Sequence, residues 1–147
     1  MGINDVIERV ARAYPDRRNA DCVLAAEVMH RLGVAPHCDV WMFYIAINGS
    51  LPPVNGRLEL LRMVGPGIPK IPDQAEYVWD RYEIPVNFLP LSSDEGEGMY
   101  LYDTRTEEVH DYRLARHDQF LSGEASARWK NFLDFIVWYI NDDDRDA

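Results

Sequence analysis

Between residues 91 and 103 the chain reads LSSDEGEGMYLYD, and its run of carboxylates and glycines admits three kinds of chemistry. Hard cations such as calcium bind clustered carboxylate oxygens beside glycine turns. The spacing here lacks the alternating acids, central glycine and closing glutamate of an EF-hand loop. Paired carboxylates also act as general acid and base where burial or a neighbour drives their pKa values apart. In a wet, glycine-flanked turn Asp94, Glu95 and Glu97 would instead all stay ionised near their ordinary values. The third possibility is a solvated turn that presents negative charge to a partner. No metal ligand and no catalytic residue is assigned from this stretch.

Other sources of chemistry are sparse. His30, His37, His110 and His117 form no HExxH and no pair at i, i+4. His110 alternates with Val109 and reads as a surface or hairpin residue. GxSxG, P-loop and GxGxxG patterns are missing, and the glycines around Pro66 mark a turn rather than a phosphate cradle. Cys22 and Cys38 lack CxxC spacing and lie within or beside apolar helical patterns, which predicts buried free thiols. The sequence therefore offers no support for an enzyme and no cofactor motif.

The elements that must position these residues fit within one domain over residues 1–147, with an acidic, frayed tail over 141–147. The formal charge is −10. From Ser93 to Ala147 fourteen acids face six Lys and Arg, a net −8, which leaves −2 for the first 92 residues. Such a field repels nucleic acid and anionic membranes and speeds encounter with basic proteins. No apolar run reaches the length of a membrane span, and the first residues lack the pattern of a secretory signal. The expectation is a cytosolic protein that touches neither membrane nor nucleic acid.

Ile3, Val6, Ile7, Val10 and Tyr14 recur at helical spacing, as do Leu24, Val28 and Leu32 between Asp21 and Gly33. DVWMFYIAING (39–49) is apolar all round and fits a buried helix or a buried strand. The candidate cap at Asp39 and the Asn48-Gly49 stop favour the helix. RLELLRMVG alternates like a strand at a sheet edge. DQAEYVWDRY follows as a short helix with Asp73 and Glu76 as a capping box and Tyr77, Val78, Arg81 and Tyr82 on its packed side. NFLPLSS, MYLYD and EEVHDYR predict three sequential antiparallel strands, and Trp129 to Ile140 carries the strongest helical stripe. The sum is an α+β domain: a mixed or antiparallel sheet covered by N-terminal helices and a C-terminal amphipathic helix.

In that order, LGVAPHCDVWMFYIAING, RLELL, IPVNFLPLSSDEGEGMYLYD, EEVHDYR and the late WKNFLDFIVW helix resemble the SUKH superfamily of bacterial immunity proteins, over roughly residues 30–140. Phe88, Asp94, Gly96, Gly98, Tyr100 and Asp103 match the family's strand-turn-strand, and Asn48 and Gly49 match its helix exit. This chain writes DEGEG where a looser Gly-Gly run is common, and Pro36 lies displaced from Leu32. The resemblance implies an α+β fold and a non-enzymatic antitoxin that binds a toxin directly. An alternative is a regulatory or scaffold module on the same fold. If the toxin is a nuclease, an acidic face can fill its basic cleft as a nucleic-acid mimic. The expected partner-binding set is Asp94, Glu95, Glu97, Tyr100, Tyr102, Asp103, Glu107, Glu108 and Asp111. Gly96 and Gly98 would shape the turn, and Tyr100, Tyr102 and Tyr112 would anchor the interface or, on the plainer reading, pack one face of the sheet.

Overall fold

The computed structural model describes residues 1–52, 56–67 and 69–141. Helix α1 (Ile3–Ala13) begins at Gly2, whose N–H donates to the Asp5 carboxylate at 2.8 Å, and buries Val6, Val10 and Ala11. In α2 (Cys22–Arg31) the Asp21 side chain accepts from the Leu24 N–H at 2.9 Å, and Gly33 takes φ +85° just past the end. Its buried stripe is Ala25, Val28 and Met29, so the expected stripe through Leu24 is rotated and Leu24 faces out. Cys22 lies on the exposed side of the same helix, against the expectation of burial, while Cys38 is half-buried; both are free thiols.

The helical reading of 39–49 holds: α3 spans Asp39–Ala46, with Cys38 rather than Asp39 at the cap position. The chain leaves α3 through Gly49, at φ +91°, where a Cβ would press on the Tyr44 ring and come within 2.8 Å of the Leu61 carbonyl oxygen. Only glycine fits this exit. Residues 57–64 form no strand. Leu60 makes one antiparallel bridge to Ser92, and the chain then bends away through Met63–Gly67. Helix α4 (Ile71–Arg81) starts one turn earlier than a cap at Asp73 requires: Lys70 is the capping position, and its N–H donates to the Asp73 carboxylate at 3.1 Å. Ile71, Gln74, Ala75 and Val78 are buried, whereas Tyr77 is exposed.

Strands β1 (Phe88–Pro90), β2 (Gly98–Asp103) and β3 (Val109–Arg113) form one antiparallel sheet in sequence order, with Leu89 opposite Tyr102 and Tyr100 opposite Asp111. A short helix that the sequence reading left out, α5 (His117–Ser122), follows and buries Phe120. Helix α6 (Phe132–Ile140) begins three residues later than its apolar stripe. Trp129 instead exchanges backbone hydrogen bonds with Val109 at 2.9 and 3.1 Å, and Asn131 caps the helix by accepting from the Asp134 N–H at 2.8 Å. The architecture is α+β, as expected, with a purely antiparallel sheet. Of the acidic tail expected over 141–147, all but Asn141 falls outside the described residues.

Both faces of the sheet are covered. Leu89, Tyr100, Tyr102 and Val109 join side chains of α1, α2, α3 and α6 in the larger core. Met99, Leu101 and Tyr112 join Val78, Ile84 and Phe120 in a smaller one. The Tyr100 ring meets Trp129, Phe135, Trp138 and Tyr139 edge-on at centroid distances of 5.1–6.3 Å. The Tyr139 hydroxyl donates to the Leu58 carbonyl at 2.6 Å and so ties α6 to the 57–61 segment. In contrast, the fully buried Tyr44 hydroxyl has no hydrogen-bond partner among the described residues. Removing Tyr139's hydroxyl leaves the half-buried Leu58 carbonyl without this donor and is expected to cost about 1 kcal/mol. The Tyr44→Phe change should leave stability unchanged or raise it by about 1 kcal/mol. Urea unfolding of the two variants checks the contrast; equal losses would show that Tyr44 is satisfied.

Candidate functional site

The acids and tyrosines singled out in the sequence do not form one face. β2 separates Glu95 and Glu97 at its start from Glu107 and Glu108 beyond its end, about 17 Å at the usual strand rise. Glu95, Glu97 and Glu107 are exposed and make no ion pair among the described residues. The turn itself differs from expectation. Gly96 and Glu97 both take φ +62°, while Gly98 is extended within β2, where a Cβ would lie 3.1 Å from the Tyr112 carbonyl oxygen. Gly98 serves close strand approach, and the turn places a glutamate in the left-handed region.

Asp94 is tied down by α4. The Tyr82 hydroxyl donates to one carboxylate oxygen at 2.5 Å and the Gln74 amide to the other at 3.2 Å. The hydrogen bond to Asp94, with burial second, pushes the Tyr82 phenol well above its ordinary pKa. This bridge holds the 94–97 turn against the helix.

Tyr100, Tyr102 and Asp103 are a correction to the expected binding set. All three are buried, the tyrosines because β2 is the central strand and its two faces both meet helices. Tyr112 is buried as well, with its hydroxyl 2.8 Å from His117 Nδ1. Asp103 accepts from the Asn87 side chain and from the Arg105 N–H, each at 2.9 Å, and so shapes the β2–β3 hairpin. Burial pushes its carboxyl up, but the hydrogen bonds from Asn87, Arg105 and Thr106 outweigh that and hold it below the usual range. Asp111 is half-buried and also occupied, accepting from Arg113 at 3.1 Å and Arg128 at 2.9 Å. His110 is half-buried rather than a surface residue, with its ring edge-on to Phe88 and Phe120. Burial lowers its pKa.

Asp111 positions a cationic aromatic stack. Arg128 lies over Trp129 and Trp138, 4.6 Å from each ring centroid, and Arg57 lies over Trp138 at 4.2 Å. A cleft lies elsewhere, between α2 and α4. It encloses about 710 Å³ over Leu24, Val28, Leu32, Met63, Val64 and Trp79, with Arg31, Lys70, Asp73 and Glu76 at its edge. Lys70 and Asp73 pair at 3.7 Å. No histidine or cysteine lines it. The sequence held one sign of this cleft: Cys22-Val23-Leu24-Ala25 is apolar over a wider arc than one buried stripe needs, and Val23 and Leu24 are both exposed.

Among the described residues no group of three or more His, Cys, Asp or Glu is placed to hold a metal ion, and no helix is long and apolar enough to cross a membrane. No family model, no curated protein and no solved structure matches the chain.

Asp103, with its folded pKa lowered, stabilises the fold above its unfolded pKa of about 3.9, and that contribution is lost as pH falls through the folded value. Asp103→Asn should therefore lower stability at pH 7 and flatten its decline between pH 5 and pH 2. Urea midpoints at pH 7, 5, 4 and 3 test this; an unchanged acid slope would remove Asp103 from the hairpin's electrostatics.

Proposed function

We propose that the chain is a cytosolic immunity protein that neutralises a cognate toxin by direct, stoichiometric binding. The motif order that resembles the SUKH superfamily supports this reading, as does the α+β arrangement in which those motifs sit. The observation that carries it is the placement of charge: Glu95, Glu97 and Glu107 stand free in solvent, while Asp94, Asp103 and Asp111 are tied into the fold. Carboxylates without internal partners create a long-range field, and at −10 that field favours a basic partner such as a nuclease with a cationic cleft. Because the free acids lie at opposite ends of the sheet, their role is to speed encounter rather than to form one contact patch.

Co-expression with a toxin encoded beside this chain should protect the cell and yield a 1:1 complex. Association should slow as salt rises, and Glu95→Gln/Glu97→Gln/Glu107→Gln should slow it further by roughly 2- to 10-fold with little change in dissociation. Stopped-flow mixing at 20–500 mM salt measures both rates. An association rate indifferent to salt and to the triple change removes the steering role, and a toxin left fully active removes the immunity reading.

A further inference from the structure

We propose that Arg57 is the centre of an oxyanion site, where one edge of its guanidinium grips a single carboxylate or phosphate group. The site is independent of the immunity reading and neither outcome of its test bears on neutralisation. Arg57 is only 5 % exposed, and its Nε and Nη2 are both buried with no hydrogen-bond partner among the described residues. It makes no ion pair there either. Arginine stays protonated in proteins, so this is a buried cation without a counter-charge. Its stack on Trp138, 4.2 Å from the ring centroid, offsets only part of the cost of taking that charge out of water. The two unpartnered donors are a matched pair. Nε–H and one Nη2–H point the same way along one edge of the guanidinium plane, from which arginine makes two parallel bonds to a carboxylate or phosphate. A water molecule would accept from these donors but bring no charge to the cation.

The neighbouring groups fix this edge and supply no acceptor for it. The Leu58 N–H donates to the Tyr100 hydroxyl at 3.1 Å and the Leu58 carbonyl accepts from Tyr139 at 2.6 Å, so the backbone next to Arg57 is pinned on both sides. Burial raises the pKa of both phenols, and neither becomes the anion. Asp111, the acid of the adjoining stack, is taken by Arg113 at 3.1 Å and Arg128 at 2.9 Å. Glu59 lies two residues along, exposed and without an ion pair to Arg57. A third donor, Trp138 Nε1–H, is also buried and unpartnered, and it belongs to the ring on which Arg57 stacks. Buried donors of this kind call for an ion or a water, and the cation among them selects the ion. Because both Arg57 donors are closed off from solvent, entry requires a side chain to move. Arg128 shares the Trp138 ring at 4.6 Å and keeps 40 % of its side chain exposed, so its movement opens the stack. The occupant is therefore one small oxyanion group, either free or at the tip of a bound protein's side chain.

Proton–nitrogen correlation spectra of the full chain record the Arg57 Nε–H and Trp138 Nε1–H signals directly. Sodium acetate, sodium phosphate and acetyl-Gly-Glu-Gly-amide are titrated at constant ionic strength, with sodium chloride as the reference. Both signals should shift and saturate with acetate and phosphate, with a Kd of about 1 mM. Saturation by the peptide as well assigns the site to a side-chain carboxylate, and saturation by the two free anions alone assigns it to a free oxyanion. Arg57→Lys keeps the charge but loses the paired edge, and should weaken binding about tenfold. Acetate should also raise the urea midpoint of the unaltered chain by mass action and leave that of Arg57→Met unchanged. Circular dichroism establishes that the variants are folded, and the titration of the unaltered chain decides the matter where they are not. Shifts no larger than those with chloride, or none up to about 100 mM, overturn the proposal. So does undiminished binding by Arg57→Lys. Binding seen only in Asp142→Asn/Asp143→Asn/Asp144→Asn would give the edge to acids of this chain and overturn an external ligand.

Discussion

All six residues of β2 are buried, because Tyr100 and Tyr102 face the large helical core while Met99 and Leu101 face the small one. A three-stranded sheet is stable only when its apolar faces are covered. Here the covering comes from both ends of the chain: α1 to α3 and α6 on one side, the end of α4 and α5 on the other. The tyrosines that alternation places together therefore hold the helices onto the sheet.

Once β2 is fully committed, the charged residues near it have two fates. Those beside the sheet are satisfied internally, as Asp103 is by Asn87 and Arg105 and Asp111 by Arg113 and Arg128. In the turns beyond its ends Asp94 is held by Tyr82 and Gln74, while Glu95, Glu97 and Glu107 make no ion pair among the described residues.

The bounds of α2 were legible, because the Asp21 side chain and Gly33 decide the local backbone there, whereas α3 is capped at Cys38 and closes at the extended Ile47, just short of the expected Asn48-Gly49 stop. The antiparallel order of NFLPLSS, MYLYD and EEVHDYR was also legible, since short connections leave few other topologies. Residues 57–64 misled because the alternation of Leu58 and Leu60 leads to a single antiparallel bridge, Leu60 to Ser92, before the bend at Met63–Gly67 carries the chain away. HDQFLS was overlooked because a helix this short with one buried side chain, Phe120, has no period to read. The binding set failed at Tyr100, Tyr102 and Asp103 for a different reason. A two-residue period says that two side chains share a face, and only the helices packed above decide whether that face meets water.

The hydrogen bond from Tyr139 to the Leu58 carbonyl joins residues 81 positions apart, and Phe132, Phe135 and Ile136 of the same helix complete the large core. A ribosome adding 5–20 residues per second needs roughly 1–5 s to pass from Arg113, where the sheet is complete, to Ile140 at the end of α6. Throughout that interval the Tyr100 face of the sheet has no α6 to cover it. The nascent chain thus carries an open aromatic surface until α6 emerges.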